Sequence, residues 1–137
     1  MKYPATFTSE GERFVVTFRD IPEAITQGDD EEDALFMAKD VLIASMEVYF
    51  DEKRRVPAAS APQPDDRLIA LPASIAVKVL LLNQMLEQTV TPSELARRMD
   101  TTRQEVNRLI DLKHTTRIDR IEDAMAALDR ELKLSVS

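Results

Sequence analysis

The chain opens on a period of two. Tyr3, Ala5 and Phe7 alternate with Pro4, Thr6 and Thr8, the pattern of a strand with one buried face. Ser9-Glu10-Gly11-Glu12 supplies a turn, and Phe14, Val16 and Phe18 resume the alternation, which predicts a hairpin. Asp20-Ile21-Pro22-Glu23 breaks it, and Ala24 to Gly28 predict a short third strand. From Asp29 the period lengthens. Leu35, Ala38, Leu42, Met46 and Tyr49 share one helical face, with Ala34, Val41 and Ser45 beside it. The carboxylates from Asp29 to Asp33 suit a first helical turn, where free N–H groups and the helix dipole favour negative charge. That helix is predicted to end at about residue 52.

Residues 53–66 carry Lys53-Arg54-Arg55 and then Pro57, Pro62 and Pro64 among Ala and Ser, the composition of a loop or linker. Leu68-Ile69-Ala70-Leu71 predicts a fourth strand, bounded by Pro72, which suits the first turn of a following helix. After Pro72 the pattern is helical. Ile75, Val79, Leu82 and Leu86 mark one helix, and Thr91-Pro92-Ser93-Glu94 opens a second that buries Leu95, Ala96 and Met99. A third runs from Arg103 to about Leu112 with Val106, Leu109 and Ile110 inward. Ile118, Ile121, Met125, Leu128 and Leu132 carry a fourth, and Leu134 with Val136 predict a short terminal strand. The expected fold class is α+β: a βββαβ module over residues 1–71, then an all-α module over 72–137.

Charge divides along the same line. The net charge of −7 argues against nucleic acid as a partner, but the average conceals an asymmetry. Residues 1–66 hold seven Lys/Arg against fifteen Asp/Glu, a net −8, whereas 67–137 hold eleven against ten. Within 97–120 there are seven against four, a net +3. An acidic front and a locally basic back point to two partners of opposite charge.

The segment from Pro92 to Ile110 gives the basic part a chemistry. Two crossing helices of a helix-turn-helix need a small residue at the crossing, here Ala96, and a branched apolar residue ten positions on, here Val106. The turn needs a residue that tolerates positive φ. Glycine is usual there, and this chain has Asp100, which enters that region at modest cost. The polar face of the next helix then offers Thr102, Arg103, Gln104, Asn107 and Arg108. Arg forks onto guanine and Gln or Asn onto adenine. Arg97, Lys113, Thr115, Thr116 and Arg117 fall where phosphates would run. Any one of these side chains alone reads better as solvated surface than as a DNA contact, and it is the whole constellation at this spacing that points to DNA.

Taken with Asp20-Ile21-Pro22-Glu23-Ala24-Ile25-Thr26-Gln27-Gly28, Val77-Lys78-Val79-Leu80-Leu81-Leu82-Asn83 and Glu94-Leu95-Ala96-Arg97-Arg98-Met99, the chain resembles the HicB antitoxins of bacterial type II toxin–antitoxin pairs. The resemblance implies a non-catalytic, partial RNase H-like N-terminal module that binds and occludes a small basic HicA-type mRNA-cleaving toxin. It also implies a C-terminal helix-turn-helix module that binds its own operator as a dimer or tetramer. For the toxin contact the acids Asp20, Glu23, Asp29, Asp30, Glu31, Glu32 and Asp33 are the candidates, since complementary charge speeds encounter with a basic partner.

Other classes fit less well. A stand-alone transcription regulator with a ligand-sensing N-terminal module is the alternative, but only 5% aromatics and two glycines leave little for a pocket or a phosphate loop. A nuclease would need converging carboxylates; Asp20, Asp40 and Glu47 are available, yet the module is too short to complete such a site. There is no Cys and one His, His114, so no metal site, cofactor or catalytic residue is expected. No apolar run spans a bilayer and no signal peptide is recognisable, so a cytoplasmic protein without membrane contact is expected.

Overall fold

The alternation and the change of period are realised in the order in which they occur. In the computed structural model, which describes residues 1–137, β1 (Lys2–Glu10) pairs antiparallel with β2 (Arg13–Phe18), and β3 (Ile25–Gly28) pairs with β2. After α1 (Glu31–Asp51), β4 (Arg67–Ala70) returns to pair antiparallel with β1, giving the order β3-β2-β1-β4. Gly11, at φ 67°, reverses the chain between β1 and β2 in a conformation that L side chains avoid. The register sets Ala5 opposite Phe18 and Tyr3 opposite Ile69. Tyr3, Ala5, Val16, Phe18 and Ile69 therefore share one face, and all are buried.

The buried stripe of α1 is Ala34, Ala38, Leu42, Met46 and Tyr49, with Ser45 beside it. It starts one position earlier than the predicted stripe, and Leu35 is only half-buried. The cause is a close approach between β3 and the first turn of the helix. A Cβ built on Gly28 would lie 2.3 Å from the Ala34 nitrogen. Only glycine at 28 and a small residue at 34 permit the chain to pack there.

The chain divides into two compact units, Met1–Tyr49 with Val56–Ala73, and Phe50–Arg55 with Ser74–Ser137. The second contains α2 (Ala73–Glu87), α3 (Pro92–Arg98), α4 (Arg103–Leu109) and α5 (Ile118–Ala127). Its core is Val79, Leu81, Leu82, Leu95, Val106, Leu109, Ile121 and Leu128. Two of these helices are shorter than their apolar periodicity predicts. α4 ends at Leu109 rather than near 112. α5 stops at Ala127, because Asp129 turns to φ 55° and the Arg130 N–H donates back to the Met125 carbonyl at 2.9 Å. The predicted terminal strand does not form. Leu134 and Val136 are 78% and 100% exposed, and no strand edge pairs with them. No helix is long and apolar enough to cross a membrane.

Candidate functional site

The second unit builds its exposed polar surface on two short helices. Thr91 caps α3, its Oγ1 accepting from the Glu94 N–H at 3.1 Å, with Pro92 in the first turn. Thr102 caps α4 in the same way, accepting from the Glu105 N–H at 3.1 Å. Between them Asp100 takes φ 54°, and the Thr101 N–H closes the turn on the Ala96 carbonyl at 2.9 Å. Ala96 is buried, as are Leu95, Val106 and Leu109. With the apolar side of α4 committed inward, Arg103, Gln104, Asn107 and Arg108 are exposed together. Arg108 pairs with Glu105 at 3.1 Å, whereas Arg103, Gln104 and Asn107 make no side-chain hydrogen bond within the chain.

On α3 one carboxylate holds two arginines. Glu94 accepts from Arg97 Nε at 2.9 Å and from Arg98 Nε at 3.1 Å. These hydrogen bonds, that of Arg97 first, push the Glu94 carboxyl down to a pKa of about 2. Arg97 is otherwise well exposed, so it meets solvent as one half of an ion pair rather than as a free cation.

The short α4 is explained by a residue that sequence reasoning overlooked. Lys78 is buried in α2, 3% exposed, and its Nζ donates to three carbonyls: Arg108 at 3.1 Å, Asp111 at 2.7 Å and His114 at 2.6 Å. Burial pushes the Lys78 pKa down, and the nearby Asp111 charge pulls against that shift. Three carbonyl acceptors meet the three donors of an ammonium. They cap the end of α4 and fix the turn that leads to α5. The available signal was a lysine inside an apolar run, Val77-Lys78-Val79, where a charge is retained only with partners.

Around that turn a cleft of about 200 Å³ is lined by Ser74, Val77, Lys78, Leu112, Lys113, His114, Thr115, Thr116 and Ile121. The candidates Lys113, Thr115 and Thr116 meet here, and Arg117 follows as the N-terminal cap of α5 without a side-chain cap bond. Thr116 Oγ1 is buried without a hydrogen-bond partner.

In the first unit most of the candidate acids already serve the fold. Asp30 Oδ1 accepts from the Asp33 N–H at 2.8 Å, and Asp33 Oδ2 from the Asp29 N–H at 2.8 Å, a reciprocal cap on α1. Glu31 bonds Arg67, and Asp29 faces Arg13 at 3.5 Å. Asp20 accepts from both the N–H and the hydroxyl of Ser60 at 2.9 Å, and Glu23 accepts from the Tyr49 hydroxyl at 2.7 Å. Glu32 alone of the seven has no such partner. It shares a shallow depression with Asp30, Asp33 and Phe36, and Phe36 is 68% exposed. Asp20, Asp40 and Glu47 do not converge, and no group of three His, Asp or Glu stands close enough to hold a metal ion.

Residues 2–80 match the family model described as the HicB-like antitoxin of bacterial toxin–antitoxin systems. The chain belongs to the HicB-like antitoxin family. It is 43% identical to Antitoxin HicB 2 of Photorhabdus laumondii, over 98% of this chain and 95% of that protein. It is also 43% identical to Antitoxin HicB of Escherichia coli K12, over 98% of each. Antitoxin HicB of Pseudomonas fluorescens is 40% identical over 85% of this chain and 81% of its own length. Because this HicB-like chain matches its relatives at nearly full length, the likeness extends past the family model and through α3, α4 and α5.

Proposed function

We propose that this chain is the antitoxin and autorepressor of a toxin–antitoxin operon. Its first unit, a partial RNase H-like fold without catalytic residues, covers a small basic HicA-type toxin that cleaves mRNA. Its second unit is a helix-turn-helix that binds operator DNA, with α4 in the major groove and the chain associated as a dimer or tetramer. Arg103, Gln104 and Asn107 read base edges, with Thr102 and Arg108 beside them. Arg97, Lys113, Thr115, Thr116 and Arg117 follow the phosphates.

The observation that carries the DNA half is the turn at Asp100. A non-glycine residue held at φ 54° between two capped helices, with Ala96 and Val106 buried at their crossing, leaves three polar side chains of α4 without partners in the chain. Such groups are ready for base edges at no cost in broken internal bonds. The strand order with its single helix before β4 supports the fold assigned to the first unit. Its acidic surface, with Glu32 unpaired beside exposed Phe36, suits a basic partner.

Co-expression tests the toxin half. With the small basic product of the adjacent reading frame induced, this chain should restore growth and co-purify with that product. Failure of both, with the chain soluble and folded, overturns the antitoxin reading. A reporter behind the operon's own promoter tests the repressor half separately.

A further inference from the structure

One motif of the sequence has no part in the function proposed above: Lys53-Arg54-Arg55, the only run of three cations in the chain. It follows α1, which begins in the acidic unit, yet Phe50–Arg55 fold with Ser74–Ser137. The first unit keeps five Lys/Arg against thirteen Asp/Glu. Residues 74–137 balance at ten against ten, and 50–55 bring the second unit to thirteen against twelve, a net +1. The pull of a helix C-terminus on cations is one reason for such a run, but that pull fades beyond the last turn. The last turn of α1 carries no basic residue. Lys53 lies past it, where its N–H donates to the Phe50 carbonyl at 3.2 Å and its φ is 52°, a conformation usually left to Gly or Asn. Its ammonium is exposed and makes no ion pair. Arg54 pairs with Glu52, and Arg55, 64% exposed, stands 3.8 Å from Glu87, a distance at which an exposed pair holds weakly.

The contact with Glu87 locates the run within the second unit. Glu87 ends α2, and Thr91, four positions on, caps α3. Four residues span at most about 14 Å, and the turn is tighter than that, since Thr89 takes φ 56° and the Val90 N–H donates back to the Met85 carbonyl at 2.8 Å. When a helix-turn-helix docks on DNA, its first helix crosses the sugar–phosphate backbone while its second enters the major groove. Lys53 and Arg55 therefore stand beside the start of the helix that would cross the backbone, where each strand carries one negative charge per about 3.4 Å. We propose that Lys53-Arg54-Arg55 is a second DNA contact, in which Lys53 and Arg55 hold backbone phosphates flanking the base pairs that α4 reads. Such a contact adds affinity for any duplex and no preference among duplexes. A basic toxin is repelled by the same charges. The inference rests on the DNA-binding reading above.

Fluorescence anisotropy of the full chain on its operator DNA and on a scrambled duplex, at several salt concentrations, tests it. Lys53→Gln/Arg55→Gln should weaken both complexes by the same factor, about tenfold at low salt. The slope of log affinity against log salt should become shallower by about one per lost contact, about two in all. Each single substitution should remove about half of the effect. Operator preference, growth rescue against the toxin and circular dichroism should be unchanged. Lys39→Gln removes an exposed charge from α1 in the first unit and should leave the slope as it is. An unaltered slope in the double variant, while the unsubstituted chain prefers its operator, overturns the inference and leaves the repressor reading standing. A loss confined to the operator overturns it as well, and so does an equal change of slope in Lys39→Gln, which makes the effect one of net charge. An unsubstituted chain that binds neither duplex overturns the repressor reading and the inference with it.

Discussion

Lys78 shows how one side chain sets the geometry of a surface it does not reach. Its ammonium takes the Arg108 carbonyl in the last turn of α4 and the Asp111 and His114 carbonyls of the segment that follows, holding the chain where the helix stops at Leu109 and turns towards α5. Replacing it by Met leaves those carbonyls without a donor. The expected cost is about 1–3 kcal/mol of unfolding free energy, measured by urea denaturation, with a loss of DNA affinity beyond that caused by exposed-residue substitutions. Glu94 works in the opposite sense. It neutralises Arg97 and Arg98 and places a carboxylate near the expected phosphate path. Glu94→Gln should therefore tighten binding to all DNA sequences and steepen the salt dependence, read by fluorescence anisotropy at several salt concentrations. The Glu94 pKa of about 2 lies below that of an unfolded glutamate. Its ion pairs thus contribute in full above the ordinary glutamate range, near pH 4.3, and are lost as pH falls towards 2. Between pH 5 and 8 the Gln variant's effect should be independent of pH.

At the level of elements, periodicity located each strand and helix, because the alternation of β1 and β2 and the long stripe of α1 are unambiguous. It placed their ends less well. The stripe of α1 starts at Ala34 because Gly28 comes within reach of the backbone there, a contact between segments that no local pattern contains. Gly28→Ala should cost on the order of 1–3 kcal/mol, seen as a lower melting temperature, since the backbone it meets has little room to shift. The extent of α4 depended on Lys78, thirty residues earlier in the sequence than Arg108, whose carbonyl it holds. Leu134 and Val136 alternate like a strand but have no edge to join. Removing residues 131–137 should change unfolding free energy by no more than about 0.5 kcal/mol. Of the candidate site, the bare face of Arg103, Gln104 and Asn107 was legible, as was the left-handed Asp100. The acids proposed for the toxin contact were harder to read, because Asp20, Glu23, Asp30 and Asp33 are bonded within the fold and composition does not distinguish a cap from a contact.

Across the whole molecule, charge is partitioned unevenly along the chain, and the proposed function assigns each unit its own partner. In that proposal the acidic unit meets the basic toxin and the basic stretch of 97–120 meets DNA. Substitutions in one unit should leave the other's partner untouched: Arg103→Ala and Gln104→Ala should not impair growth rescue. The most direct measurement is a titration of the full chain, and of the Arg103→Ala/Gln104→Ala double variant, into the DNA upstream of its own operon and into a scrambled duplex. The account predicts clear preference for the operator by the unsubstituted chain. It also predicts a loss of about 1–3 kcal/mol of discrimination per substituted base contact in the variant, with weak non-specific binding retained. Equal affinity of the unsubstituted chain for operator and scrambled DNA, or a preference that the double variant keeps in full, would contradict it.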